Sequence, residues 1–148
     1  MKSPALFIDR DGTIIKQIDG YYISSIEQIE LIENIIPAIL MLQNEGYLVI
    51  IVTNQAGINK GILSNEQVDE INQHIIQLLK KQGIDISAVY VCPHKPEEQC
   101  KCRKPQPGLL LKAAKEHNID LENSIIIGDT DKDTEAGLNA GLKKVIKI

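Results

Sequence analysis

The chain has 148 residues, enough for one domain, and its 43% hydrophobic and 24% charged content is that of a globular protein rather than a disordered one. Sixteen Lys and Arg against twenty Asp and Glu give a net charge of −4, which argues against a general binder of nucleic acid or of a membrane surface. No apolar run approaches the roughly 20 residues of a spanning helix, Asp9 cuts short the run that would open a signal peptide, and no exposed apolar stripe is evident; the expectation is a cytoplasmic monomer.

In chain order, residues 5–9 are a short apolar run that predicts a buried strand, followed by Asp9-Arg10-Asp11-Gly12-Thr13. Residues 34–45 predict a helix, with Pro37 tolerated in its first turn and Gly46 beyond its end. A second strand at 47–53 leads into Thr53-Asn54-Gln55. Ser64 with Gln67 three residues on has the pattern of a capping box, and Val68, Ile71, Ile75, Leu78 and Leu79 recur at helical spacing until Gly83. A strand at 88–91 precedes the cysteines, a helix follows at 107–117, a strand at 124–128 ends on Gly128-Asp129, and a short helix at 134–139 leads to a last strand at 143–148. Strands alternating with helices predict an α/β domain, residues 1–148, with a parallel sheet flanked by helices. The intervals from Thr13 to Thr53 and from Thr53 to Lys104 are already filled by these elements and leave no room for a separate cap domain.

In such folds ligands sit outside the carboxyl ends of the strands. Polar groups follow four of them: Asp9, Asp11 and Thr13; Thr53, Asn54 and Gln55; the cysteine segment with Lys104; and Asp129. Asp9 and Asp11 repel one another unless a cation neutralises them, and a hard ion such as Mg²⁺ suits them, with Asp129 arriving from another strand. An acidic site of this kind needs positive charge to bind a phosphate, which Mg²⁺ and Lys104 supply, with Thr53 and Thr13 as further donors. Asp19-Gly20-Tyr21-Tyr22 reads as a short flap over an open site.

All three cysteines fall between positions 92 and 102. Cys92-x-His94 and Cys100-x-Cys102 make a Cys₃His set typical of structural Zn²⁺, and four protein ligands leave no position open for a catalytic water. Arg103 and Lys104 follow directly, so the loop would fix their aim. His74 and His117 have no comparable neighbours in sequence and read as packing or surface residues.

Ile8-Asp9-Arg10-Asp11-Gly12-Thr13, Thr53-Asn54-Gln55, Lys104-Pro105 and Gly128-Asp129 with Asp133 resemble the four motifs of the haloacid dehalogenase (HAD) superfamily of phosphohydrolases, over nearly the whole chain. The resemblance implies a Rossmann-like fold and Mg²⁺-dependent hydrolysis of a small phosphorylated metabolite through an aspartyl-phosphate. It implies Asp9 as nucleophile and Asp11 as the acid that protonates the leaving oxygen and then the base for water. Thr53 and Lys104 would hold the phosphoryl group. Asp9, the Asp11 main-chain carbonyl and Asp129 would hold Mg²⁺, with Asp133 in support.

The cysteine segment with Arg103-Lys104-Pro105 is similar to two sister groups, the D-glycero-D-manno-heptose 1,7-bisphosphate phosphatases and the histidinol-phosphate phosphatases. The short interval from His94 to Cys100 is more like the second. Asp19-Gly20-Tyr21, Thr53-Asn54-Gln55-Ala56-Gly57-Ile58 with Lys60-Gly61, and Pro105-Gln106-Pro107-Gly108-Leu109-Leu110 favour the first. On that reading Asp19, Gly20, Tyr21, Asn54, Gln55 and Arg103 join Thr13 at the substrate. The heptose group has Lys after the fourth-motif aspartate, where this chain has Thr130. A polynucleotide 3′-phosphatase shares the first two motifs, but the net charge, a single Phe and no Trp speak against a strand-binding groove.

Overall fold

The computed structural model describes residues 1–148. Five strands, β1 (Ala5–Ile8), β2 (Leu48–Asn54), β3 (Ile86–Cys92), β4 (Ile125–Gly128) and β5 (Lys144–Lys147), form one sheet. All pairings are parallel, in the order β3, β2, β1, β4, β5. The helices are α1 (Ile36–Asn44), α2 (Asn65–Lys81), α3 (Gly108–His117) and α4 (Asp131–Ala140).

Side chains alternate across a strand, so an apolar run divides between two cores. Leu6 and Ile8 of β1, Val49 and Ile51 of β2, and Ile125 and Ile127 of β4 face Ile39 of α1 and Ile71, Ile75 and Leu79 of α2. Phe7, Ile50, Val52 and Ile126 face the other way, onto Leu109, Leu110 and Ala113 of α3 and Ala136 of α4. Both faces are covered, which is why these strands read as continuous apolar runs.

Chain order reverses at β1, which lies between β2 and β4. A crevice opens at the carboxyl ends of strands where the order reverses, and Asp9 leaves β1 at that point. Between β1 and α1 the chain makes only two 3₁₀ turns, Ile26–Gln28 and Glu33–Ile35, with Ile14, Ile15 and Ile23 buried in the core beneath. No further domain is inserted there.

The Ser64–Gln67 capping box forms: the Gln67 N–H donates to Ser64 Oγ at 3.0 Å, and the Ser64 N–H donates to Gln67 Oε1 at 2.8 Å. Three elements depart most from their expected bounds. β3 runs to Cys92, which puts the first cysteine on the sheet itself. α1 starts at Ile36 behind a 3₁₀ turn, with Pro37 in its first turn. α4 starts at Asp131 rather than near Thr134, because the positive end of the helix accommodates the acidic run and Asp133 caps it. No helix is long and apolar enough to cross a membrane.

Candidate active site

The turn after β1 is tight: the Arg10 carbonyl accepts from the N–H groups of Thr13, Ile14 and Ile15. Gly12 takes φ +86°, and a Cβ there would overlap the Asp129 carboxylate, so only glycine lets the first and fourth strand ends come together. The Asp9 N–H donates to the Ile127 carbonyl at 3.1 Å and ties the nucleus of the site to β4.

Lys104 is buried and spends all three ammonium hydrogens, on Asp9 Oδ1 (2.8 Å), the Val52 carbonyl (3.0 Å) and Asp133 Oδ1 (2.5 Å). Its backbone is gripped by Asn54 at the end of β2: the Lys104 N–H donates to Asn54 Oδ1 at 3.0 Å, and Asn54 Nδ2 donates to the Lys104 carbonyl at 3.2 Å. Burial pushes the Asp9 carboxyl up, Lys104 opposes this and Asp133 adds to it, leaving Asp9 at about 7. Burial alone would depress Lys104, but the two carboxylates override it and hold the ammonium above its ordinary value.

Asp9, Asp129 and Asp133 bring carboxylate oxygens within 4.8 Å of one another. Asp129 Oδ1 is buried with no hydrogen-bond partner. Both oxygens of Asp133 are engaged, Oδ1 by Lys104 and Oδ2 by the N–H and hydroxyl of Thr130. Oxygens left over on Asp9 and Asp129 in an acidic cluster fit a hard divalent cation, with Asp133 behind them. Thr130, at the position where the heptose group usually has Lys, thus serves the start of α4.

These groups floor an open cleft of about 540 Å³. Asp9, Asp11, Thr53, Asn54, Arg103 and Lys104 line it, as do Gly20 and Tyr21 at its mouth. Three residues assigned to the substrate lie elsewhere. Thr13 is buried with its hydroxyl unpaired, because the turn folds it under the site. Gln55 points inward and donates to Asp11 Oδ2 (2.8 Å) and Thr53 Oγ1 (3.0 Å). The Asp19 side chain is exposed and outside the lining. Sequence reading missed Lys132, which lines the cleft; Tyr22 of the flap and Lys60, quoted for the family resemblance alone, line it too, and Lys60 Nζ lies 3.2 Å from Tyr22 Oη. The one sequence signal for Lys132 was its position just after β4.

Cys92, His94, Cys100 and Cys102 converge. Cys92 Sγ lies 3.4 Å from His94 Nδ1 and 3.6 Å from Cys100 Sγ; Cys102 Sγ lies 3.1 Å from His94 Nδ1 and 3.8 Å from Cys100 Sγ. A tetrahedral Zn²⁺ with Zn–S of about 2.3 Å and Zn–N of about 2.0–2.1 Å has edges of about 3.6–3.8 Å; the two S···S distances match these edges and the two S···N distances are shorter, and three thiols with one imidazole are the donor chemistry that ion takes. Burial pushes the Cys100 thiol up, but the Arg103 N–H, 3.3 Å from its sulfur, and the neighbouring donors outweigh it and bring it to about 7. Arg103 Nη1 reaches the His94 carbonyl at 3.5 Å. The cysteine loop therefore holds Arg103 at the cleft edge.

Residues 5–141 match a family model described as polynucleotide kinase 3 phosphatase. A D-glycero-β-D-manno-heptose-1,7-bisphosphate 7-phosphatase of Helicobacter pylori is 44% identical over 140 residues, 94% of this chain and 80% of the relative. The histidine biosynthesis bifunctional protein HisB of Blochmanniella floridana is 38% identical over 98% of this chain, but that match spans 41% of the relative. The crystal structure of D,D-heptose 1,7-bisphosphate phosphatase from B. bronchiseptica, complexed with magnesium and phosphate, superposes with a TM-score of 0.86 at 28% identity, covering 95% of this chain and 78% of that one.

Proposed function

The chain belongs to the haloacid dehalogenase superfamily of phosphatases, within the family described as polynucleotide kinase 3 phosphatase, and we propose that it converts a D-glycero-D-manno-heptose 1,7-bisphosphate to the heptose 1-phosphate. The carrying observation is Lys104 buried between Asp9 and Asp133, beside the unpartnered Asp129 oxygen. That arrangement suits a phosphoryl group between a carboxylate nucleophile and fixed positive charge. Residues 1–148 act as one phosphatase domain.

In this reading an Asp9 oxygen attacks the 7-phosphorus. The ester P–O bond breaks, its electron pair leaves with the sugar oxygen, and that oxygen takes a proton from Asp11. Asp11 then takes a proton from water as the water oxygen attacks phosphorus, which releases Asp9 and inorganic phosphate. Lys104 and Thr53 hold the phosphoryl oxygens through both steps, Lys104 by turning toward them the hydrogen it gives Asp9 in the free site. Mg²⁺, held by Asp9, the Asp11 carbonyl and Asp129, would offset the charge that otherwise makes carboxylate attack on a phosphate dianion repulsive. Zn²⁺ on Cys92, His94, Cys100 and Cys102 would be architectural. Arg103, Lys60 and Lys132 around the cleft supply cations for a second, remote phosphate, which favours a bisphosphate over histidinol phosphate.

The test is kcat/KM with Mg²⁺ on the α and β anomers of the heptose bisphosphate, on histidinol phosphate and on a 3′-phosphorylated oligonucleotide. One heptose anomer should exceed both other substrates by at least about tenfold, since a paired phosphate contributes on the order of a charge-assisted hydrogen bond or more. Preference for histidinol phosphate or for the oligonucleotide overturns the assignment.

A further inference from the structure

Arg10 is the largest fully buried side chain in the protein. A guanidinium in that position costs several kcal/mol unless it is paired and hydrogen-bonded. Its one charged partner is the neighbouring Asp11: Nε donates to Oδ1 at 2.8 Å and Nη2 to Oδ2 at 3.2 Å. Nη1 donates to Asn72 Oδ1 at 2.9 Å. Asn72 is itself buried, a polar residue between Ile71 and Ile75 on the face of α2 that packs against the sheet. No residue of α2 lines the cleft, so Asn72 reaches the site through Arg10.

The arrangement has a chemical consequence at Asp11. A carboxylate has about four lone-pair directions. Oδ2 accepts from both Arg10 and Gln55, whereas Oδ1 accepts from Arg10 alone. The vacant direction is therefore on Oδ1, and Asp11 lines the cleft.

We infer that Asn72 and Arg10 are positioning residues that, with Gln55, fix the Asp11 carboxylate so that Oδ1 is the oxygen that carries the transferred proton. The inference rests on the reading of Asp11 as proton donor. Asn72 orients the guanidinium, the guanidinium sets the carboxylate plane, and Gln55 closes off Oδ2. Loss of the Asn72 acceptor frees Nη1 to turn and takes the donor out of line without touching Asp9, Lys104 or Asp129.

Leaving-group dependence tests this. Nitrophenolate departs without a proton, whereas phenolate benefits from one, and kcat/KM reports the transfer to Asp9. General acid catalysis contributes about 10²–10⁴-fold, and misalignment forfeits part of it. Asn72→Ala should lower kcat/KM about tenfold on phenyl phosphate and less than about threefold on 4-nitrophenyl phosphate, with Mg²⁺ affinity unchanged. Arg10→Lys, which replaces a two-pronged donor by a point donor, should show the same selectivity and serves if Asn72→Ala does not fold. Asn72→Asp keeps an acceptor of the same shape and should return both esters to within about twofold of the parent. Asp11→Asn is the control and should show a larger loss in the same direction. Equal losses on both esters for Asp11→Asn would remove the reading of Asp11 as donor. A selective loss there, with Asn72→Ala and Arg10→Lys either silent or equally poor on both esters, would overturn the relay alone.

Discussion

At the residue scale, Lys104 and Arg103 are chain neighbours with different surroundings. Lys104 is buried against Asp9 and Asp133, while Arg103 is half-buried at the cleft edge. Lys104→Ala leaves the carboxylates facing each other and removes the charge at the transferring group. It should lower kcat at least about 10²–10³-fold, the scale of losing one preorganised donor. Arg103→Ala should act mainly through KM, and a bisphosphate should reveal it more than a monophosphate. Steady-state kinetics on both esters separates the two effects; equal damage from both variants would contradict the division. For Asp9 the check is isotopic. A phosphorothioate substrate made chiral at phosphorus with ¹⁸O and hydrolysed in ¹⁷O-water should react with net retention, the outcome of two in-line displacements, whereas inversion would mean direct attack by water.

At the element scale, the 92–102 loop is anchored at both ends. Cys92 is the last residue of β3, and the Gly108 N–H at the start of α3 donates to the Lys101 carbonyl at 2.9 Å. A Cβ at position 108 would overlap that carbonyl, so glycine permits the loop to lie on the helix end. The loop's middle is held by the thiol–imidazole cluster and by Asn59 donating to Glu98. The purified protein should carry one Zn²⁺ per chain by elemental analysis. Chelation should make this loop protease-sensitive while far-UV circular dichroism stays near native, because the strands bury a core that contains no ligand except Cys92. Activity should then fall by on the order of 10²-fold as Arg103 and Lys104 lose their aim. A zinc-free preparation of full activity and unchanged protease resistance would sink this account of the loop.

At the scale of the whole molecule, the sheet order concentrates negative charge in one buried place. Burial raises Asp9 to about 7 although Lys104 opposes it. A raised carboxyl binds its proton more tightly in the folded than in the unfolded chain. In the metal-free protein this group therefore makes folding less favourable as pH rises from its unfolded value through about 7. Mg²⁺ requires the ionised form, so protons compete with it. Its affinity should be nearly flat above pH 7 and should weaken by up to about tenfold per unit below, as measured by titration calorimetry. An affinity unchanged between pH 8 and pH 6 would mean that Asp9 is not a ligand or that its carboxyl is already ionised throughout that range.

The sequence by itself determined the alternation of strands and helices, because continuous apolar runs and helical spacing are local signals. It also determined the acidic, lysine and cysteine motifs and their place after strand ends, because chain direction in a parallel sheet puts all those ends on one edge. Tertiary structure decided which residues meet there. Only the order β3, β2, β1, β4, β5 brings Lys104 between Asp9 and Asp133. Arg10, by type a surface residue, is buried because α2 delivers Asn72 to it across 62 positions of sequence. Thr13 and Gln55 sit inside motifs that pointed to the substrate, yet they turn into the protein. Lys132 lies in no motif of its own, yet it lines the cleft. Spacing along the chain fixes which side of a strand a residue occupies, but not how the chain rotates once the strand has ended. There the direction of each side chain is set by what it packs against, and those contacts come from distant parts of the chain.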